Sequence, residues 1–248
     1  MLELFMESLR IGEATEHLLR HVVVVAMDLR AFERCKSVNA GQYCFLLQTR
    51  GVDFSADKKF MTGDFLKMMW NRIDFLRLVL DLGYSFIFTD VDVMWLRNPI
   101  SKFPGDGHMT ISCDRYNGNP WDKKNRANTG FLYVKSNAFT IEFYKYWYMA
   151  RVLYPGLNDQ HVFYKIKNNP FVQELGIQIN YLDTAYFGGF CQPSEDVRKV
   201  CTMHANCCVG VENKLNDLRV LVEDWRMYRN GSVEVGGFKW RVPRKCHL

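Results

Sequence analysis

Phe86-Ile87-Phe88-Thr89-Asp90-Val91-Asp92-Val93 decides how this chain is read: a run of apolar and β-branched residues that ends on two carboxylates two positions apart. Such a run is a buried strand, and acids at its C-terminal end stand where open α/β sheets bind their ligands. In extended chain, residues i and i+2 share a face, so both carboxylates can turn toward one hard cation. A metal held there would offset the charge of a diphosphate and assist its departure as a Lewis acid. The alternative is a turn with two solvated acids, against which the apolar flanks count, because burial makes an idle acidic pair costly.

Working outward, the stripe Phe65, Met69, Ile73, Leu76 and Leu80 predicts a helix feeding that strand, with Asp64 as its cap and Gly83 as its C′ stop. Further upstream, Val22 to Asp28 reads as a strand buried on both faces and ending in a carboxylate, and residues 2 to 20 read as one amphipathic helix. Downstream, strands are expected at Met109 to Cys113, Gly130 to Val134 and Ile177 to Leu182, and helices at Ala138 to Leu153, Asp159 to Lys167 and Leu215 to Tyr228. Strands alternating with helices make a layered α/β domain. No repeat, low-complexity tract or linker divides it, so a single domain is expected. The stretch Asp114 to Asn128 is a long polar loop rich in Asn and Gly, of the kind that carries function in compact domains.

The composition agrees. Of 248 residues, 48% are hydrophobic and 24% charged, enough apolar material for a sizeable core, which rules out disorder, collagen and coiled coil. The longest apolar runs fall far short of the ~20 residues of a membrane span. The first residues carry acids where a secretory leader would be basic. A net charge of +5, with Lys and Arg occurring singly or in pairs, excludes nucleic acid as the default partner but suits an anionic small molecule. Eight cysteines lack the paired C-x-x-C spacing of zinc knuckles. Disulfides in an oxidising lumen are the preferred reading over buried free thiols, in tension with the missing leader.

Two chemistries fit an apolar strand ending in Asp-x-Asp. One is phosphoryl transfer with the first Asp as nucleophile; the other is glycosyl transfer with the pair holding Mn²⁺ against a nucleotide diphosphate. The phosphatase motif normally opens its chain, whereas here a whole βα half precedes position 90, which favours glycosyl transfer. Met68 to Ile73, Phe86 to Pro99, Asn128-Thr129-Gly130-Phe131, Asn158-Asp159-Gln160, Phe187 to Cys191 and Thr202 to Cys207 together resemble the plant nucleotide-diphospho-sugar transferase domain, glycosyltransferase family seventy-seven. The resemblance runs from about Leu2 to Tyr228. It implies a GT-A fold: a Rossmann-like central mixed sheet flanked by helices over residues 1–228, followed by a C-terminal tail at 229–248. It further implies a retaining, metal-dependent, Golgi-resident enzyme that moves a pentose or galactose from a UDP-sugar to a cell-wall glycan or glycoprotein. The competing expectation is a catalytically inactive glycan- or nucleotide-binding relative of the same fold.

Carried over position by position, the resemblance assigns Asp90, Asp92 and His204 to the metal, and imidazole plus carboxylate oxygens suit Mn²⁺. Taken alone, His204 reads as a core or surface histidine. Lys214 corresponds to a lysine that grips the diphosphate, although its spacing from His204 departs from the tighter family pattern. Asp28 accepts from ribose or uracil, or else caps a helix. Arg72 offers a fork for diphosphate, or else belongs with Lys67 to a solvated face. Asn128 and Gln160 are candidates for the transferred sugar. Asp159 is the carboxylate expected near the anomeric carbon, where positive charge develops; alone, it is a helix-start residue. In front-face transfer the leaving phosphate can take the acceptor's proton, so no separate base is required. Phe143, Tyr144, Trp147 and Tyr148 read as core, Trp121 and Tyr116 as platforms for an acceptor sugar. Gly188-Gly189 allows close approach to a ligand, or a tight turn. Relatives of this kind are longer type II membrane proteins with an anchor, a stem and a first strand ahead of the opening helix. The expectation is therefore an N-terminally short form, with a sheet edge exposed beside Val22 to Asp28.

Overall fold

The computed structural model describes residues 1–38, 41–48, 54, 61–232 and 237–246. In chain order the elements are α1 Leu2–Ile11, β1 Val23–Ala26, α2 Leu29–Val38, β2 Tyr43–Leu46, α3 Gly63–Asp81, β3 Phe86–Thr89, β4 Val93–Trp95, β5 Met109–Arg115, β6 Arg126–Val134, α4 Ala138–Ala150, α5 Asp159–Ile166, α6 Pro170–Leu175, β7 Ile179–Tyr181, β8 Phe187–Gly189, β9 Thr202–His204 and α7 Val211–Arg229. The α/β expectation holds: mixed sheets flanked by helices in a single domain. Strand pairing is divided among three sheets, β1-β2, β3-β6-β5-β7 and β4-β9-β8. The four-stranded sheet is antiparallel across β3/β6/β5 and parallel across β5/β7. The three-stranded sheet pairs β4 antiparallel and β8 parallel to β9.

The seam between these two sheets positions the site. At the end of β3 the Asp90 N–H still donates to Gly130 O (2.7 Å), but Val91 and Asp92 form a turn and Val93 enters the other sheet. The chain changes sheets across the acidic pair. Beneath it lie two apolar clusters. One joins α1 and α7 to β4, β8 and β9 through Leu9, Met94, Met203 and Trp225; the other joins α3, α4 and α5 to β5 and β6 through Ile73, Leu132, Trp147 and Phe163. Each such side chain contributes roughly 1.5–3 kcal/mol on burial. Phe143, Tyr144 and Trp147 are fully buried, as expected of core. Among the described residues no helix is long and apolar enough to cross a membrane.

Several local expectations are corrected. Residues 2–20 are two elements: α1 stops at Ile11 and a 3₁₀ segment follows at Glu16–His21. The chain turns out of the helix at Gly12 (ψ 157°): Glu13 N–H donates to Leu96 O (2.8 Å), and Leu9 O accepts from the Thr15 hydroxyl (2.6 Å). The crossing needs glycine, since a Cβ there would stand 2.7 Å from Trp95 O and 2.4 Å from Thr15 Oγ1. Thr62, not Asp64, caps α3, its hydroxyl accepting from Phe65 N; Gly83, at φ +88°, takes the expected stop position. β1 is not covered on both faces: Val23 is 56% exposed, and among the described residues β1 pairs with β2 alone. The loop expected at Asp114 to Asn128 shrinks to 116–125, because β5 and β6 extend into it. The helix α2 and strands β2, β4, β8 and β9 are too short or too polar to register by periodicity.

The segment after α7 folds back along that helix. Buried Asp217 accepts from the backbone N–H groups of Arg244, Lys245 and Cys246, and Asp224 accepts from Arg241 N. Residues 233–236 and 247–248 of this tail lie outside the described residues.

Candidate metal and donor site

Asp90 leaves β3, Asp92 enters β4, and β9 pairs with β4 so that His204 lies opposite Val93. Three groups thereby converge. Ligand-type atoms of Asp90, Asp92 and His204 all lie within 4.8 Å of one another. Nε2 of His204 is 3.2 Å from Asp92 Oδ1, and Lys214 Nζ, on the first turns of α7, donates to Asp92 Oδ2 at 2.6 Å. Gly130 on β6 forms the floor: a Cβ there would stand 2.5 Å from His204 Cε1, 2.7 Å from Asp90 Oδ2 and 2.9 Å from Asn128 Oδ1. The missing side chain lets three polar groups close around one spot. Two carboxylates and an imidazole over that floor fit a divalent cation.

The same groups perturb one another's protonation. Burial raises the Asp90 carboxyl above its usual range, Arg72 opposes that, and the negative charge of Asp92 adds to it. Because the Asp90 side chain keeps 35% of its surface, solvent tempers the effect. Burial pushes Asp92 up as well, but His204 and Lys214 more than offset it and hold its carboxyl well below the ordinary value. Burial alone would lower the His204 imidazole; Asp92 outweighs it and raises the imidazole above the ordinary histidine value. Carboxylates pushed apart by one environment mark a functional site rather than a solvated turn.

Beside this trio lies a second set. Arg72 on α3 is not on a solvated face. Its guanidinium is buried against the Phe88 ring, 4.9 Å to the centroid, and spans Asp90 Oδ1 (3.0 Å), Asp159 Oδ2 (2.5 Å) and Thr129 Oγ1 (3.3 Å). Asp159 is 1% exposed in the first turn of α5, where Asn158, accepting from His161 N, is the cap. Gln160 Oε1 accepts from Thr129 N and its Nε2 donates to Asp114 Oδ2. Asn128 donates to Asp114 Oδ1 (2.8 Å) and accepts from Gly130 N (2.8 Å). The structure thus brings together Arg72, Asp90, Asp92, Asn128, Asp159, Gln160, His204 and Lys214.

Asp28 is placed otherwise. Its Oδ1 accepts from Ala31 N (2.8 Å) and it starts α2, the helix-cap arrangement. Gly188 and Gly189 are not an open floor, and Gly189 opens the tight turn that Gln192 N–H closes on Gly189 O (3.1 Å). They lie in β8, where Cβ atoms would stand 2.6 Å from Ser194 N and 2.4 Å from Asn206 Oδ1. Trp121 is 46% exposed and lines a cleft with Lys123, Ile177 and Gln178, whereas Tyr116 packs on the core. Sequence reasoning missed Asp114 as a hub: it accepts from the side-chain amides of Asn128, Gln160 and Asn206. Its one signal was its place at the start of the long polar loop.

Comparisons with known proteins bear on the family and the fold. Residues 17–218 match the family described as nucleotide-diphospho-sugar transferase. An uncharacterised protein of Arabidopsis thaliana is 46% identical over 98% of this chain, which spans 65% of that relative's length. The beta-arabinofuranosyltransferase RAY1 of the same plant is 28% identical over 55% of this chain and 30% of its own. The apo structure of mouse xyloside xylosyltransferase 1 superposes with a TM-score of 0.50 over 83% of this chain and 91% of that one, at 13% identity, a likeness of fold alone.

Proposed function

This chain belongs to the nucleotide-diphospho-sugar transferase family, and from that premise we propose that it transfers a sugar, a pentose or galactose, from a UDP-sugar to a cell-wall glycan or glycoprotein in the Golgi lumen, with retention. The observation that carries the reading is the closure of Asp90, Asp92 and His204 over Gly130. These three would hold Mn²⁺, whose charge offsets that of the departing diphosphate when bound. Lys214, in the first turns of α7, adds a cation beside Asp92 and grips phosphate oxygens as a point charge. Arg72 orients Asp90 and Asp159 together. Asp159, ion-paired rather than free, supports a cationic sugar through its charge as the glycosidic bond breaks. Asn128 and Gln160, fixed by Asp114, present amides to the sugar hydroxyls. The three disulfides support a lumenal setting.

The test is a donor screen for release of UDP from a panel of UDP-sugars with and without Mn²⁺, joined to calorimetric titration of UDP. Wild type is expected to release UDP only with Mn²⁺. In Asp92→Ala and Asp92→Asn, Mn²⁺-dependent UDP binding should disappear while the circular dichroism spectrum persists. Unchanged UDP binding by folded variants would sink the metal assignment. No release from any donor would instead leave a non-catalytic relative of the fold.

A further inference from the structure

The sequence contains one Asn-x-Ser/Thr triplet without an intervening proline, Asn230-Gly231-Ser232. Such a triplet is an acceptor for N-linked sugar only if it is exposed and its chain passes through a lumen. The first condition is met directly, and independent chemistry supports the second. Asn230 is the exposed residue that ends α7, its backbone N–H donating to Arg226 O. Gly231, at φ +75°, turns the chain, and Ser232 N–H closes on Met227 O (3.0 Å). Ser232 then donates twice to the Asn230 carboxamide oxygen, from its N–H (3.0 Å) and from its hydroxyl (2.6 Å). The turn occupies the oxygen and leaves Nδ2 without a hydrogen-bond partner among the described residues. The compartment is indicated by chemistry elsewhere: Cys35–Cys44, Cys191–Cys207 and Cys208–Cys246 are disulfides, which form and persist under oxidising conditions.

We propose that Asn230 carries an N-linked oligosaccharide. In the reaction Nδ2 bonds to the anomeric carbon of an oligosaccharide carried on a lipid diphosphate. The bond from that carbon to the diphosphate oxygen breaks, the lipid diphosphate leaves with the electron pair, and one Nδ2 proton is released. The site lies sixteen residues along α7 from Lys214, about 24 Å at 1.5 Å per residue. The glycan therefore stands at the far end of the helix from Asp92 and does not crowd the cleft. This inference does not rest on the proposed transfer activity.

The experiment places the full chain behind a secretory leader in plant cells and treats the secreted product with peptide N-glycosidase A. Wild type is expected to shift in mobility, and mass spectrometry should find Asn230 converted to Asp in the released peptide. Asn230→Gln and Ser232→Ala should abolish the shift, Ser232→Thr should keep it, and UDP release by all three should match wild type within about twofold. A secreted wild-type chain without a shift, or with an unmodified Asn230 peptide alone, would overturn the proposal. So would a shift that persists in Asn230→Gln. The peptide measurement needs no variant, so it decides the matter even if a substitution prevents folding.

Discussion

Gly130 shows how a residue without a side chain governs a site made of charges. It needs no unusual backbone angle; what it supplies is room, since a Cβ would fall within 3 Å of His204, Asp90 and Asn128 at once. None of the three can give way easily: Asn128 is held by Asp114 and by Gly130 N, Asp90 by Arg72, and His204 by Asp92. Gly130→Ala is therefore expected to lower Mn²⁺-dependent UDP affinity by about tenfold or more, read by calorimetry, and to cost the fold about 1–3 kcal/mol through overpacking. Wild-type affinity in that variant would mean the three groups do not close over one ion. Asp90 and Asp92 were legible in the sequence because two acids at the end of an apolar strand are conspicuous. Asp114 was not, because a lone Asp after a strand looks like any loop residue until three amides are seen to point at it.

At the scale of elements, the site depends on where helices begin. α5 starts at Asn158, whose side chain accepts from His161 N at 2.9 Å and so sets the first turn that carries Asp159 and Gln160. Asn158→Ala removes that cap and should cost about 1 kcal/mol in urea denaturation. It should also weaken donor binding, because Asp159 would no longer be held against Arg72. A variant with wild-type stability would show that burial alone fixes the start of α5. The same scale explains the misread opening helix. Hydrophobic periodicity continues past Ile11, but the helix does not, because Glu13 N–H turns to Leu96 O beside β4. Periodicity records which face is apolar and is silent about what presses on it.

Across the whole molecule, three disulfides reinforce segments that other hydrogen bonds already bring together. Cys35–Cys44 joins α2 to β2, Cys191–Cys207 ties the loop after β8 to the turn after β9, and Cys208–Cys246 clips the tail to the start of α7. Cys113 and Cys201 remain as buried thiols, burial pushing them up to about 12 and about 11. A thiol reagent at pH 8 should therefore find no reactive cysteine in the native chain and two after denaturation without reductant, since the thiolate is the reactive form. A count above two would mean that a bridge is absent. Disulfides were foreseen as a class from cysteine usage, but their pairing was not, since connectivity cannot be deduced from spacing. The sequence by itself determined the α/β class, the helix and strand that lead into Asp90 and the acidic pair, because these rest on local periodicity and a local motif; the candidacy of His204 and Lys214 came from the family resemblance. Only the tertiary structure decided that β3 and β4 belong to different sheets and that Arg72 is locked between Asp90 and Asp159. Those facts depend on contacts between residues far apart in the chain, which no local pattern encodes.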